Sequence, residues 1–351
     1  MRLADLTQQA GEWLRGAGPL NDVVISSRVR LARNVAGMPF LTRCSDDQKH
    51  EVQQRLRDVI LAGGVAREVL YVDVAAVDPL DRQLLVERHL ISRQHAEADH
   101  PRGVAVSGSE QIAIMVNEED HLRIQVLRSG LQLEEAAAEI NRIDDLLESR
   151  VSFAFHSRYG YLTACPTNVG TGLRVSVMLH LPALKMTGQI EKVFQAAKDM
   201  HLAIRGLYGE GTEATGDFFQ VSNQTTLGRS EERILTDFCR QIVPGIVEYE
   251  KLARSALLKK QLAALDDKAN RALALLRAAR MIDADETMYL LSLVRLGANL
   301  GRLAEVDLAT INSLFLLTQP AHLQKILGKK MTAQEQSEAR AAFIRRRLGG
   351  S

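Results

Sequence analysis

Up to about residue 230 the order of apolar and polar positions switches between period two and the three-to-four spacing of helices. Residues 5–16 predict a short amphipathic helix with Leu6, Trp13 and Leu14 inward, ended by Gly16-Ala17-Gly18-Pro19. Val23-Val24-Ile25 predicts a brief strand, followed by a segment in which Arg28 and Arg30 alternate with Val29 and Leu31. On an extended chain both guanidinium groups then project from one face, with Arg33 close by. A helix is expected over 46–62 with Asp46 as its N-cap, a strand over 69–72, and a helix over 80–90 opened by Pro79. Paired strands over 103–108 and 111–117 surround a Ser107-Gly108-Ser109 turn, and a further strand covers 124–127. A helix over 134–149 and strand signals at 153–155 and 161–163 follow, then a strand over 174–181, a helix over 190–202 and a closing strand over 218–222. The glycine-rich stretch 205–216 has no apolar periodicity and reads as a mobile loop. From Ser230 onward the spacing is helical as far as Leu348, with interruptions expected near Asp266-Asp267, Asp283 and Pro320. The fold class is therefore α+β followed by all-α.

Length and composition narrow the class. At 351 residues two domains are expected, and 46% hydrophobic with 25% charged residues is a globular composition. A net charge of +1 gives no global field for nucleic acid or an anionic membrane. Cys44, Cys165 and Cys239 are far apart, and no Cys-x-x-Cys occurs, which fits a reducing compartment. No apolar run suits a membrane span and the N-terminal residues do not resemble a signal peptide, so a soluble cytoplasmic protein is expected.

Familiar nucleotide and metal motifs are missing: no Gly-x-x-x-x-Gly-Lys-Ser/Thr loop, no His-Glu-x-x-His, and no third glycine after Gly170-Thr171-Gly172. His89, His95 and His100 do not share a helix face, and read as surface histidines rather than a zinc site. What remains is Arg28, Arg30, Arg123, Arg174 and Arg205, each near the end of an element, which is the side chain suited to bidentate phosphate binding. Beside them stand Glu119 and Glu210 and the thiol of Cys165. Arginines without a catalytic lysine, with carboxylates nearby, point to phosphoryl transfer by positioning and charge neutralisation. Taken singly, each glutamate reads equally well as a solvated loop acid, and residues 165–174 as an ordinary loop before a core strand.

Cys165-Pro166-Thr167-Asn168-Val169-Gly170-Thr171 resembles the signature of the ATP:guanidino phosphotransferases, the creatine and arginine kinase family. Ser26-Ser27-Arg28-Val29-Arg30, the block from Asn117 to Arg123, Arg174-Val175-Ser176 and Arg205-Gly206-x-x-Gly209-Glu210 match the other family blocks in order. The phosphagen kinases carry about a hundred helical residues before the first block, whereas here 25 residues precede it and the helical region follows. That layout resembles the bacterial protein-arginine kinases. The resemblance implies a phosphagen-kinase-like catalytic domain over 1–245, a mainly antiparallel sheet flanked by helices, and an all-α C-terminal domain over 246–351 for substrate or phosphoarginine binding and dimerisation.

It also implies an assignment of the site. ATP would be held by Ser26, Ser27, Arg28, Val29, Arg30, His89, Arg123, Arg174, Val175, Ser176, Val177, Met178, Arg205, Gly206, Leu207, Tyr208, Gly209 and Glu210. Mg2+ would sit on phosphates and water with no protein metal site, Glu119 and Glu210 would grip the acceptor guanidinium, one as base, and Cys165 would stand beside it as a thiolate. Where the family has an Arg-Asp-x-x-Arg-Ala phosphoarginine motif, this chain keeps Arg340 and Ala341 but has Gln336 and Ser337, which weakens any allosteric site there. Implied partners are arginine-bearing protein substrates, among them a stress-gene repressor, a Clp-type ATPase or protease, an activator protein and a second copy of the chain, with no nucleic acid and no membrane. The competing readings are a kinase of free arginine or another small guanidine, and a non-catalytic phosphoarginine-binding adaptor.

Overall fold

The computed structural model describes residues 3–8, 10–207 and 215–350. Its spine is strand β1 (Val24–Arg33), one continuous strand where the sequence suggested a short one and a separate arginine segment. The other strands are β2 (Val69–Asp73), β3 (Gly103–Ser107), β4 (Ile112–Val116), β5 (Leu122–Ser129), a two-residue hairpin of β6 (Phe155–His156) and β7 (Gly160–Tyr161), β8 (Leu173–His180), β9 (Leu202–Arg205) and β10 (Phe218–Asn223). Among the described residues eight of them form an antiparallel sheet in the order β2-β3-β4-β5-β1-β8-β10-β9.

The helices are α1 (Asp46–Ala62), α2 (Pro79–Glu87), α3 (Arg93–Glu97), α4 (Leu133–Glu148), α5 (Pro182–Met186), α6 (Ile190–Asp199) and α7 (Glu231–Asp237), which passes through a π-turn, Phe238–Ile242, into α8 (Val243–Lys260). A helical region follows: α9 (Leu262–Ala278), α10 (Ala284–Asn299), α11 (Leu308–Leu317), α12 (Pro320–Leu327) and α13 (Ala333–Leu348). No helix among the described residues is long and apolar enough to cross a membrane.

Alternation along β1 and β8 decides the layers. Val29, Leu31, Val175 and Val177 are fully buried on one face, packed with Val52, Leu56 and Ile60 of α1 and Ile140 and Ile143 of α4. The arginines take the other face. At one flank of that face Val104 and Met115 meet Leu85 and Val86 of α2. At the other, Leu127, Met178 and Phe218 pack with Trp13 and with Leu291, Leu314 and Phe315 of the helical region. A cavity is left between the two flanks.

Several local expectations are corrected. Residues 5–16 do not form one helix. Leu3–Gln8 and Glu12–Leu14 are 3-10 turns, although Leu6, Trp13 and Leu14 are buried as expected. The cap of α1 is Ser45, in a reciprocal capping box with Gln48, one residue before the expected Asp46. The helix expected over 190–202 stops at Asp199, because His201 takes a left-handed φ of 56° and turns the chain into β9. Asp266 and Asp267 do not interrupt α9. Asp266 accepts two 2.7 Å hydrogen bonds from Arg302, and Asp267 pairs with Arg271 four residues on. His95, expected at the surface, is fully buried with Nε2 3.0 Å from the Gly103 carbonyl oxygen.

A buried polar joint ties the helical region to α2. Glu87, at the end of α2, accepts the backbone N–H groups of Ala321 (2.9 Å) and His322 (3.1 Å) in the first turn of α12, where a carboxylate complements the helix dipole. His322 Nδ1 lies 2.7 Å from Glu87 Oε2, and its Nε2 lies 3.1 Å from Nη1 of Arg88, which is itself paired with Glu110. Glu87→Ala leaves two buried N–H groups and His322 Nδ1 without this partner, so it is expected to cost about 3–5 kcal/mol of stability in a denaturant titration.

Candidate active site

Register brings the arginines together. Arg30 stands opposite Arg174 on β8 and Gln125 on β5, Ala32 opposite Arg123, and Gln220 opposite Arg205. All five arginines line one cavity of about 590 Å³ on a single sheet face. Arg28 donates to the Gln220 side-chain oxygen and to Ser176 Oγ, and Arg174 donates to Ser222 Oγ at 3.1 Å, while Arg123 pairs with Glu118. Burial first, and then the fields of Arg123, Arg174 and Arg205, push the Arg28 guanidinium down to about 9. Burial, then Arg28, Arg123 and Arg174, push buried Arg30 well below its ordinary value, and Glu118 only partly opposes them. Arg30 Nε and Nη2 are buried and have no hydrogen-bond partner among the described residues. Unsatisfied buried donors amid like charges are costly, and a polyphosphate would relieve both penalties. Inorganic triphosphate at a hundred times its Kd is therefore expected to stabilise the protein by about 2.7 kcal/mol, read as a rise in thermal midpoint.

Three adjacent acids lie in the turn from β4 to β5, and the fold gives each a separate task. Glu118 is buried. It accepts Ser92 Oγ and Arg123 Nη1, both at 2.6 Å, and the Glu119 N–H at 3.0 Å. Burial raises its pKa, but Arg123 and these hydrogen bonds outweigh that and hold the carboxyl down at about 2. Asp120 accepts Asn34 Nδ2 and the Ala164 N–H, each at 2.6 Å, and so fastens the turn to the residue before Cys165. Glu119 is half-buried and faces the cavity. Burial, and next the charges of Glu118 and Asp120, raise its pKa above the usual glutamate range. All three line the cavity, and Glu119 is the one of them that is not buried.

Cys165 lines the same cavity, with Sγ 3.0 Å from Thr167 Oγ1. His89 also lines it, at a left-handed φ of 57° and edge-on to Trp13 with ring centroids 4.5 Å apart. Burial, then Arg28 and Arg93, push its pKa down to about 3, so the ring is neutral at physiological pH.

The structure thus gathers Arg28, Arg30, His89, Arg123, Arg174, Arg205, Glu119, Cys165 and Leu207 around one cavity. It takes others away. The side chains of Val29, Val175 and Val177 lie in the core on the opposite face, and the Ser27 hydroxyl donates to the Gly130 carbonyl there. Ser26 is buried, Ser176 serves Arg28, Met178 packs with the helical region, and Gly206 follows β9. Tyr208, Gly209 and Glu210 lie outside the described residues. Arg340 is not in the cavity lining. Buried in α13, it donates to the backbone carbonyls of Thr318 (2.8 Å) and Ile282 (3.0 Å), and Ala341 is buried beside it. Arg33 pairs with Asp144 at 2.6 Å instead of joining the phosphate set. Sequence reasoning missed Ser92, Gln125, Gln220 and Ser222. Gln220 and Ser222 alternate with Phe219 and Val221, a parity that sets them on one face.

Fold and site together define a phosphotransferase of the guanidino type. The family model described as ATP:guanido phosphotransferase, C-terminal catalytic domain, matches residues 51–253, and that of the protein-arginine kinase McsB C-terminal domain matches residues 262–351. The chain is 47% identical over 347 residues to the protein-arginine kinase of Symbiobacterium thermophilum, covering 98% of each, and 42% identical over 352 residues to that of Bacillus subtilis, covering 99% of this chain and 96% of the relative. Among solved structures it resembles the duplicated taurocyamine kinase of Schistosoma mansoni with bound transition-state analogue components (TM-score 0.60, 26% identity, 70% of this chain and 35% of that one). Lombricine kinase shares the fold (TM-score 0.57, 24% identity, 68% and 67%). The chain belongs to the ATP:guanido phosphotransferase family, in its protein-arginine kinase branch.

Proposed function

We propose that this protein transfers the γ-phosphoryl group of ATP to the guanidinium of arginine residues in proteins. The carrying observation is the cavity that gathers Arg28, Arg30, Arg123, Arg174 and Arg205 with Glu119 and Cys165 in its lining. ATP is the phosphoryl donor, and the orphaned donors of Arg30 fit its phosphates. Mg2+ carried on the phosphates would neutralise part of their charge. Arg28, Arg30, Arg123, Arg174 and Arg205 hold the polyphosphate and balance the charge that spreads over it during transfer. Glu118 fixes Arg123 and the backbone of Glu119 together, so phosphate grip and proton acceptor keep one geometry.

The acceptor sets the energetic problem. An arginine side chain with a pKa near 13 lies about 6 units above pH 7, so free deprotonation costs about 8 kcal/mol. Glu119 takes the proton while the guanidinium nitrogen forms its bond to phosphorus and the bond to the ADP oxygen breaks, which avoids that separate cost. The link to a Clp-type protease and to a stress-gene repressor rests on the resemblance alone. Incubation with ATP, magnesium and a casein-like protein should yield acid-labile, alkali-stable phosphate. Absence of that phosphate removes the kinase reading, and equal transfer to free arginine would favour the small-guanidine reading.

A further inference from the structure

His89 stands where a glycine would be expected. It is the second residue after α2, its N–H donates to the Val86 carbonyl at 2.9 Å, and its φ of 57° is the left-handed conformation on which helices commonly end. Glycine is the usual residue there because a Cβ strains that conformation. The helix end needs the backbone angle and has no use for an imidazole. Strain of this kind persists where the surroundings over-determine it, and it clusters at ligand sites. Two residues from distant parts of the chain hold His89 in this way.

Gln125, on β5, fixes the backbone. Its side-chain amide donates to the His89 carbonyl at 2.6 Å, and it is 2% exposed. Trp13 fixes the ring, edge-on with centroids 4.5 Å apart. The indole is itself buried, and its Nε1 has no hydrogen-bond partner among the described residues, so ring contacts alone place it. A second edge contact, to Phe218 at 6.1 Å, and the hydrogen bond from the Ser129 N–H to Glu12 Oε1 (3.0 Å) anchor the 3-10 turn that carries Trp13. The ring held between these supports lines the catalytic cavity, and Val86 and Ile91 of the same segment add apolar lining. A neutral imidazole with apolar neighbours offers phosphate no charge and suits a flat, weakly polar group.

We propose that Gln125 and Trp13 are positioning residues that hold the His89 imidazole in the cavity wall for the nucleoside end of ATP. The inference rests on the kinase reading and deepens it. Gln125 also stands opposite Arg30 on β1, and an action on the phosphates through that neighbour is the competing account. The two accounts differ in what they predict for a polyphosphate without a nucleoside.

The test combines titration calorimetry with the casein-like assay. Gln125→Met should raise the Kd for ATP by about tenfold, the scale of one lost buried hydrogen bond. Its Kd for inorganic triphosphate and its kcat at saturating ATP should match those of wild type. Trp13→Leu should show the same split. In a His89→Ala background Gln125→Met should add nothing, because both changes act through one ring. A merely structural role would lower the melting temperature and the active fraction, and so kcat, while leaving the Kd of the folded protein alone. The inference is overturned if Gln125→Met leaves the Kd for ATP unchanged, if it weakens triphosphate equally, or if its full effect persists in His89→Ala. Wild-type protein that binds ATP and transfers no phosphate to protein defeats the kinase reading while the Kd comparison still stands, and wild-type protein that binds no ATP defeats both.

Discussion

Glu119→Gln is expected to lower the rate of phosphoryl transfer to arginine by about 10²–10⁴-fold, the usual worth of a positioned general base. The substitution keeps the shape and removes the ability to accept a proton. Nucleotide affinity should stay the same or tighten slightly, because the lost negative charge sits near Arg123 and Arg174 and offsets part of the positive field that meets the phosphates. The split separates Glu119 from its neighbour: Glu118→Gln releases Arg123 and should weaken nucleotide binding as well as transfer. The pH profile carries the same signature. Glu119 works as a carboxylate, and its pKa is raised by burial and then by Glu118 and Asp120. Activity should therefore fall with decreasing pH at a higher value than an ordinary glutamate would give. Isothermal titration with a nucleotide and a direct phosphoarginine assay decide the matter; a Glu119→Gln protein of full activity would return this residue to the status of a loop acid.

Arg30→Met should move stability and activity in opposite directions. In the absence of anions the wild-type protein buries Arg30 among Arg28, Arg123 and Arg174 with two donor atoms unused, so removing the charge is expected to raise the thermal midpoint. The same change removes a charge-assisted contact to the phosphates and should lower kcat/KM by about 10³-fold, comparable to the loss of an arginine that neutralises a transferring phosphoryl group. The rise in midpoint caused by triphosphate should shrink along with it. A variant that melts lower than wild type and still turns over would show that Arg30 is a structural cation, and that its orphaned atoms have another purpose.

How much of this was legible beforehand differs from residue to residue. Arg28, Arg30 and Arg174 were legible because they interrupt alternating apolar strands, and the period of a strand fixes which face a side chain takes. By the same rule Val29, Val175 and Val177 had to face the core, which the block matches alone obscured. His95 was misjudged for a different reason. Its partner, the Gly103 carbonyl, comes from another element, and a polar side chain reads as exposed until such a partner is seen.

The sequence by itself determined the strand and helix periods, the helix caps to within a residue and the ordered blocks that mark the family. These follow from local sterics and from side-chain chemistry at short spacing. Only the tertiary structure showed that Glu118 and Asp120 are held by Ser92, Arg123, Asn34 and the Ala164 N–H while Glu119 is left less buried. It alone joined α12 to α2 through Glu87 and His322, 235 residues apart. Those outcomes depend on burial and on charges brought together across long sequence separations. No local pattern encodes either.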